Sequence, residues 1–230
     1  MDAWDRIDNL TLIENGLLHF QFELSRERPS YFRTAREAHL VLYRAMIEAL
    51  RGSANWAVTL KQARDRSCEY QKGNNPWTEI HKVAAPSCRL AWRYSLPEPC
   101  EAPPMPTTDV EPEQVKRDEY LIGFYDAVAM IQTECFMGQL VHSRIVAVCD
   151  ADMKTLEWLH EEIRNEYEHF VPKGYMAPVQ DLLAAAASCL RLARMCLFES
   201  GNILFHSVPR DRLERLFQQV GDQLFRTQEG

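Results

Sequence analysis

The sequence has no stretch of 18 consecutive apolar residues and no excess of basic residues, and each absence excludes a class of protein. A membrane-spanning helix needs about 20 apolar residues, so we expect no membrane span. The 33 acidic residues outnumber the 26 lysines and arginines, which gives a net charge of −7. This balance argues against a polybasic nucleic-acid binder, because duplex binding depends on cationic side chains that neutralise phosphates.

The cysteine pattern lacks the marks of a disulfide framework or a structural zinc site. The seven cysteines are an odd number, and no pair has the Cys-x-x-Cys spacing. The first ten residues, MDAWDRIDNL, contain neither a basic segment nor an apolar run, so we expect no secretory signal. A reducing, cytoplasmic location is therefore predicted. Cys189 and Cys196 lie seven residues apart on a helical pattern, which predicts two core thiols.

Glycine is scarce, with nine in 230 residues, and strand-like alternation is almost absent, so we predict an all-α fold. Six of the twelve prolines fall within 96–112, which predicts a loop or linker between helices at 1–95 and 113–230. We interpret the two helical parts as one domain. Gly52 is predicted to end one helix. Apolar residues recur at helical spacing over 4–25, 30–51, 53–72, 76–85, 112–149, 152–170, 177–205 and 209–226.

One short motif carries the functional prediction. Within EWLHEEIRNEYEHFVPKGY at 157–175, Arg164 and Asn165 are followed by His169, near the end of a predicted helix that Pro172 terminates. This Arg-Asn-x-x-x-His arrangement resembles the signature of the HEPN superfamily, whose members are helical bundles and whose catalytic members are metal-independent ribonucleases. The resemblance rests by motif on 164–170, and it implies an antiparallel bundle of HEPN type with extra N-terminal helices.

The resemblance also implies a chemistry and an assembly. The 2′-hydroxyl of RNA would attack the adjacent phosphate, with His169 as the acid–base group, Arg164 stabilising the phosphate charge and Asn165 orienting His169 or holding a phosphate oxygen. Neither a metal nor a cofactor is needed. On a regular helix Arg164 and His169 lie about 140° apart, so a shared site requires an irregular turn or a second copy of the motif. HEPN nucleases are similar to the second case, and we expect a homodimer.

The predicted helix at 30–51 carries Arg33, Arg44 and Arg51 within about 20° on a helical wheel. One interpretation is an RNA-binding row, to which Lys173 after the motif would add. The other is a solvated stripe of ion pairs, because a glutamate follows four residues after each of the first two arginines. A second Arg-x5-His match, from Arg33 to His39, lies in this mostly buried helix and is attributed to chance.

Charge is unevenly distributed. Residues 150–169 hold seven acidic residues against Lys154 and Arg164, a net charge of −5, while 26–72 holds ten basic against five acidic residues, a net charge of +5. The acidic motif helix would repel RNA, so the basic segment is the face that RNA would use. We predict a cytoplasmic endoribonuclease of a toxin, defence or stress system, with RNA and an antitoxin-like protein as partners. The alternative is a non-catalytic helical interaction or scaffold protein, which the acidic helix favours.

Three other assignments receive less support. The two Glu-x-x-His matches at 157–160 and 166–169 have the ligand spacing of di-iron bundles, but such bundles take the two copies from different helices. No spacing indicates a Cys–His nucleophile pair. The last assignment concerns the aromatic residues Trp56, Trp77, Trp92 and Tyr94. One interpretation is a small-molecule site, and the favoured one is packing in the core or between helices.

Overall fold

A computed structural model of the 230-residue chain describes residues 7–52, 58–59, 120–164 and 176–229. These ranges are mostly helical, with an isolated antiparallel bridge between Thr59 and Leu121, so the predicted all-α class is confirmed. None of the helices in these ranges has the length and apolar character needed to cross a bilayer. The helices predicted at 53–72 and 76–85 and the loop at 96–112 fall outside the described residues, and the HEPN-type arrangement stays a prediction.

The described helices have the following bounds: α1 Asn9–Leu24, α2 Tyr31–Arg51, α3 Phe124–Met130, α4 Glu134–Met137, α5 Asp150–Trp158, α6 Val179–Arg194 and α7 Arg210–Glu229. Two helices continue in π-helical turns, α5 into Leu159–Arg164 and α6 into Met195–Glu199. The helices predicted at 4–25, 30–51 and 209–226 correspond to α1, α2 and α7. The helix predicted at 177–205 corresponds to α6 and its π-helical turn, which end earlier, at Glu199. The helix predicted at 152–170 corresponds to α5 and its π-helical turn as far as residue 164.

The single helix predicted over 112–149 is not continuous in its described part. Helices α3 and α4 are short, and an irregular segment runs from Gly138 to Cys149. The side chains of Gln132 and Thr133 donate to the carbonyls of Val128 and Ala129, at 3.0 Å each. Side-chain bonds of this kind compete with the regular backbone ladder, which favours the break after α3.

The described residues divide into two compact units. The first takes its residues from Met1–Glu48, Val148–Glu199 and Leu204–Gly230, and the second from Ala49–Ala147 and Ser200–Ile203. In the first unit, α1 packs against α7, and α6 packs against both α5 and α7. Apolar side chains from each helix fill this core, among them Leu10, Phe20, Val41, Leu42, Leu156, Leu159, Ile163, Leu183, Leu192, Leu213 and Val220. Cys189 and Cys196 are fully buried there, which confirms the predicted core thiols.

Close packing at Gly16 and a hydrogen bond from Arg44 hold helices α1 and α2 together. Asp8 caps α1 by accepting a hydrogen bond of 3.0 Å from the Thr11 amide. A Cβ atom added at Gly16 would lie 2.8 Å from Val41 Cγ2, so the glycine allows the helices to pack closely. Arg44 Nη1 donates to the Leu12 carbonyl at 2.9 Å. The position of α1 therefore fixes α2, which carries one half of the candidate site.

In the second unit, two amide side chains satisfy the carbonyls at the end of α2. Gln139 Nε2 donates to Leu50 O at 2.8 Å, and buried Asn202 Nδ2 donates to Ala49 O at 3.2 Å and to Met137 O at 2.9 Å. Gly52 adopts a φ of +51°, which ends the helix where the sequence predicted. These side chains satisfy carbonyl groups in the last turn of α2, which have no partner within the helix.

Candidate functional site

The π-helical turn Leu159–Arg164 carries Arg164, the described member of the predicted catalytic motif. Arg164 is half-buried, and His160, also half-buried, precedes it by four residues on the same helical turn. Turns with i→i+5 hydrogen bonding are rare and are frequent at functional sites. The turn that carries Arg164 therefore departs from regular α-helical geometry.

His39 of α2 contacts His160 across the helix interface. The distance from His39 Nε2 to His160 Nδ1 is 3.1 Å, and the two rings stack with centroids 5.2 Å apart and planes inclined by 29°. His39 is only 3% exposed, whereas His160 is half-buried. The hydrogen bond joins residues 121 positions apart in the sequence, so it is a product of tertiary packing.

Burial and nearby positive charges keep His39 neutral. Burial, the largest cause, acts together with the positive charges of His160, Arg164 and Arg36 to lower the pKa of His39 from 6.5 to about 3. Arg36 lies 3.5 Å from the Glu37 carboxylate, measured from Nη1 to Oε1. At neutral pH, His39 is therefore an uncharged imidazole with one donor and one acceptor nitrogen.

The arrangement supplies the two elements that phosphate chemistry requires. An imidazole near neutrality can transfer a proton, and a guanidinium can stabilise negative charge through its planar fork. His160 is the accessible imidazole of the pair, and Arg164 lies on the same turn. Buried His39 contacts His160 and can fix its orientation, as the third group does in base–nucleophile constellations.

The structure locates some of the residues that the sequence predicted and not others. Asn165, His169 and Lys173 lie outside the described residues. Arg33 is 59% exposed, with Nη1 at 4.0 Å from Glu23 Oε2. Arg44 is half-buried and bound to the Leu12 carbonyl, and burial lowers its pKa.

Arg51, the last residue of α2, is half-buried. Of the predicted RNA-binding arginines, Arg33 thus has the most exposed guanidinium. Arg44 instead connects α2 to α1.

The sequence interpretation missed His39 and His160 as a pair. His39 appeared only in an Arg-x5-His match that was attributed to chance, and His160 only in a Glu-x-x-His match. One signal was present, because His160 lies four residues before Arg164 and shares its helix face. The partnership with His39 had no sequence signal, since it depends on how α2 packs.

Two further features of the first unit lie apart from the histidine pair. Asp152 of α5 accepts hydrogen bonds from Arg191 of α6 and from the Cys149 thiol, and the latter is 2.8 Å long. Burial opposes ionisation of Asp152, but these bonds outweigh it and lower its pKa. A groove of about 370 Å³ runs between α6 and α7, where Leu190, Phe217 and Phe225 line it.

Potential metal ligands are not clustered in the part of the chain that the structure describes. No three histidine, cysteine, aspartate or glutamate side chains come together there in a way that would hold an ion. Comparison of the chain with protein-family models, with curated proteins and with solved structures finds no match.

Proposed function

We propose that the protein is a metal-independent, HEPN-like endoribonuclease of a toxin, defence or stress system, which cleaves RNA by 2′-hydroxyl transesterification. One observation carries the proposal. Arg164 of the motif lies on an irregular helical turn together with His160, whose imidazole is held by buried His39. An oriented imidazole can transfer protons at a phosphodiester, and a nearby cation can stabilise the charge that develops on the phosphate.

In the proposed reaction, the 2′-hydroxyl of one nucleotide attacks the adjacent phosphate. The new bond from the 2′-oxygen to phosphorus displaces the 5′-oxygen of the next nucleotide, leaving a cyclic phosphate and a 5′-hydroxyl. Arg164 stabilises the charge that develops on the phosphate oxygens. His169 transfers a proton and Asn165 orients it or holds an oxygen, as the resemblance implies.

RNA would approach on the basic part of the chain. Segment 26–72 has a net charge of +5, and its exposed Arg33 can contact phosphates. Lys173 would add a contact beside the motif, while Arg44 contributes helix packing through Leu12. A homodimer would bring a second motif to the same RNA, and a protein partner would restrain the activity.

A second candidate function is a non-catalytic helical interaction protein. The motif helix favours it, because Asp150 and Glu162 are exposed on an element whose net charge over 150–169 is −5. Such a surface repels RNA and attracts basic protein surfaces. Under this alternative, the histidine pair and Arg164 serve only to pack α5 against α2.

An assay of the cleavage of unstructured RNA in buffer containing EDTA distinguishes the two candidate functions. The wild-type protein should cleave, and Arg164→Ala should reduce the rate by about 10²- to 10³-fold, since one charge-stabilising donor is worth this much. Arg194→Ala is the matched control, because Arg194 is a 60% exposed arginine of α6 paired with Glu199. It should cleave at the wild-type rate. Absence of cleavage by the wild-type protein would refute the proposal and favour the interaction protein.

A further inference from the structure

Beside the groove between α6 and α7, helix α7 presents an exposed aromatic side chain that the proposed ribonuclease site does not use. Phe225 is 59% exposed at the edge of this apolar groove, which has a volume of about 370 Å³ and is lined by buried Leu190 and Phe217. An exposed apolar residue that continues an apolar groove is typical of an interaction surface. We propose that this face binds α7 of a second copy of the chain, with the two α7 helices antiparallel. The inference rests on the homodimer of the proposed function, to which it assigns a contact surface.

The α7 face contains a projection and a hollow that fit each other. Gly221 lies one turn before Phe225, about 40° from it on a helical wheel. Among the described residues, a Cβ atom added at Gly221 would meet nothing within 4 Å, so the surface beside Phe225 is open. A two-fold interface uses the same patch on both copies and therefore requires a patch that is complementary to itself. Phe225 of each copy can lie over the partner's Gly221, where the missing side chain lets the helices approach closely.

Symmetry then fixes the register of the two helices. In an antiparallel pair related by a two-fold axis, each residue faces one that lies equally far on the other side of the axis. If Phe225 lies over the partner's Gly221, the axis passes at the level of residue 223. Asp222 is then about 3 Å along the helix from the partner's Arg226, at a rise of about 1.5 Å per residue. An arginine side chain spans this offset, so two carboxylate–guanidinium pairs form across the axis.

Asp222 and Arg226 are suited to these pairs because both are exposed and lie about 40° apart on one edge of the face. Asp222 accepts a hydrogen bond of 2.8 Å from Gln218 Nε2, and a carboxylate has further lone pairs for a guanidinium. Arg226 follows Asp222 by four residues, a spacing that permits an ion pair within one helix, yet no such pair forms in the part of the chain that the structure describes. The face thus carries both charges of an intermolecular pair, which favours a second copy over a partner of one charge sign.

The size of the face sets the expected affinity. Helix α7 has 20 residues and is about 30 Å long, and two adjacent helices are about 20 Å wide. A contact of about 600 Å² per copy is smaller than the roughly 800 Å² per partner of a typical stable complex. We therefore expect a dissociation constant of about 10–100 µM. At the few micromolar used for circular dichroism, the chain should be mostly monomeric.

Sedimentation equilibrium of the full chain from 1 to 200 µM, without RNA, tests the proposal. The wild type should pass from monomer to dimer over this range. Phe225→Ser should weaken the dimer about 10- to 100-fold because two buried aromatic contacts are lost, and Gly221→Leu should weaken it at least about tenfold by filling the hollow. Val141→Ser is the matched control, because Val141 is a fully exposed apolar residue of the second unit. It should dimerise like the wild type.

Charge reversal gives a test in which affinity is recovered rather than lost. Asp222→Arg and Arg226→Asp each place like charges across the axis, and each should weaken the homodimer about tenfold. An equimolar mixture of the two variants should form a dimer within about threefold of the wild-type affinity, because both ion pairs return with exchanged signs. A mixture that stays as monomeric as the separate variants would overturn the assignment, as would a wild-type dimer that Phe225→Ser leaves unchanged.

Failure of this inference can be distinguished from failure of the ribonuclease proposal. A wild-type chain that stays monomeric up to 200 µM overturns the inference and the homodimer with it, whereas RNA cleavage in EDTA is measured independently. A chain that dimerises through this face but does not cleave RNA supports the inference and refutes the ribonuclease.

Discussion

The buried imidazole of His39 makes the folding stability depend on pH in a calculable way. Its pKa is 6.5 when exposed and about 3 in the folded protein, because burial and neighbouring positive charges disfavour the imidazolium. The unfolded chain therefore binds a proton between these values that the folded chain does not bind. The contribution is intact above pH 6.5 and is lost as the pH falls toward 3.

The magnitude follows from the linkage relation, at 1.36 kcal/mol for each pH unit below the unfolded pKa. Between pH 7.5 and pH 5, His39 alone should lower the free energy of unfolding by about 2 kcal/mol. Carboxylates such as Glu23, whose pKa is lowered by the Ser30 amide and Arg26, add their own acid sensitivity. A variant that lacks only the His39 titration separates the two contributions.

The assay is urea unfolding followed by far-UV circular dichroism at pH 7.5 and pH 5. The wild type should lose about 2 kcal/mol more than His39→Gln between the two pH values, since glutamine does not titrate. His19→Gln removes an exposed histidine of α1 and should lose as much as the wild type. Equal losses in wild type and His39→Gln would refute the reasoning, because His39 would then titrate alike in the folded and unfolded chains.

Three predictions concern the scaffold and use the same unfolding assay. Gly16→Ala should destabilise by about 1 kcal/mol, because the new Cβ lies 2.8 Å from Val41 Cγ2 and overpacking outweighs the gain in helix propensity. Gly221→Ala is its counterpart with open space around it and should stabilise by about 0.5–1 kcal/mol, so equal effects would contradict the packing argument. Asn202→Ala should cost about 1–3 kcal/mol, since the two buried hydrogen bonds that Asn202 Nδ2 donates are lost; an unchanged midpoint would argue against this. Asp8→Ala should cost about 1 kcal/mol through loss of the α1 cap, and no loss would show that the cap is dispensable.

Long, periodic helices were predictable from the sequence because local signals and burial agree in them. Helix α2 ends at Gly52, where the predicted stop coincides with a positive φ. Cys189 and Cys196 are buried as their helical spacing predicted. In these elements the apolar stripe faces the core throughout, so periodicity alone identifies the buried face.

Irregular elements were not predictable from periodicity. The apolar spacing after residue 123 reads as helix, yet Gln132 and Thr133 bond to carbonyls of α3 and the helix stops. The π-helical turn at Leu159–Arg164 changes the hydrogen-bond register without a change in composition. Both features depend on individual side chains and on packing, which a hydrophobic pattern does not record.

Only part of the candidate site was predictable from the sequence, because the rest depends on packing between distant segments. Arg164 was assigned from its motif, and it lies on the turn that carries His160. The Arg-x5-His match that contains His39 was attributed to chance because its helix is mostly buried. That burial is what makes His39 a neutral partner for His160. A contact between residues 121 positions apart depends on the docking of α2 against the π-helical turn, which no local spacing encodes.

We propose that Arg164 and its histidine neighbours form an RNA-cleaving site. Its most direct test is identification by mass spectrometry of the RNA ends produced in EDTA by the wild type and by Arg164→Ala. The wild type should produce 2′,3′-cyclic phosphate ends, and these products should be lost with Arg164→Ala or when the nucleotide at the cut carries 2′-deoxyribose. Products ending in a 3′-hydroxyl, or cyclic phosphate formed equally well by Arg164→Ala, would contradict it.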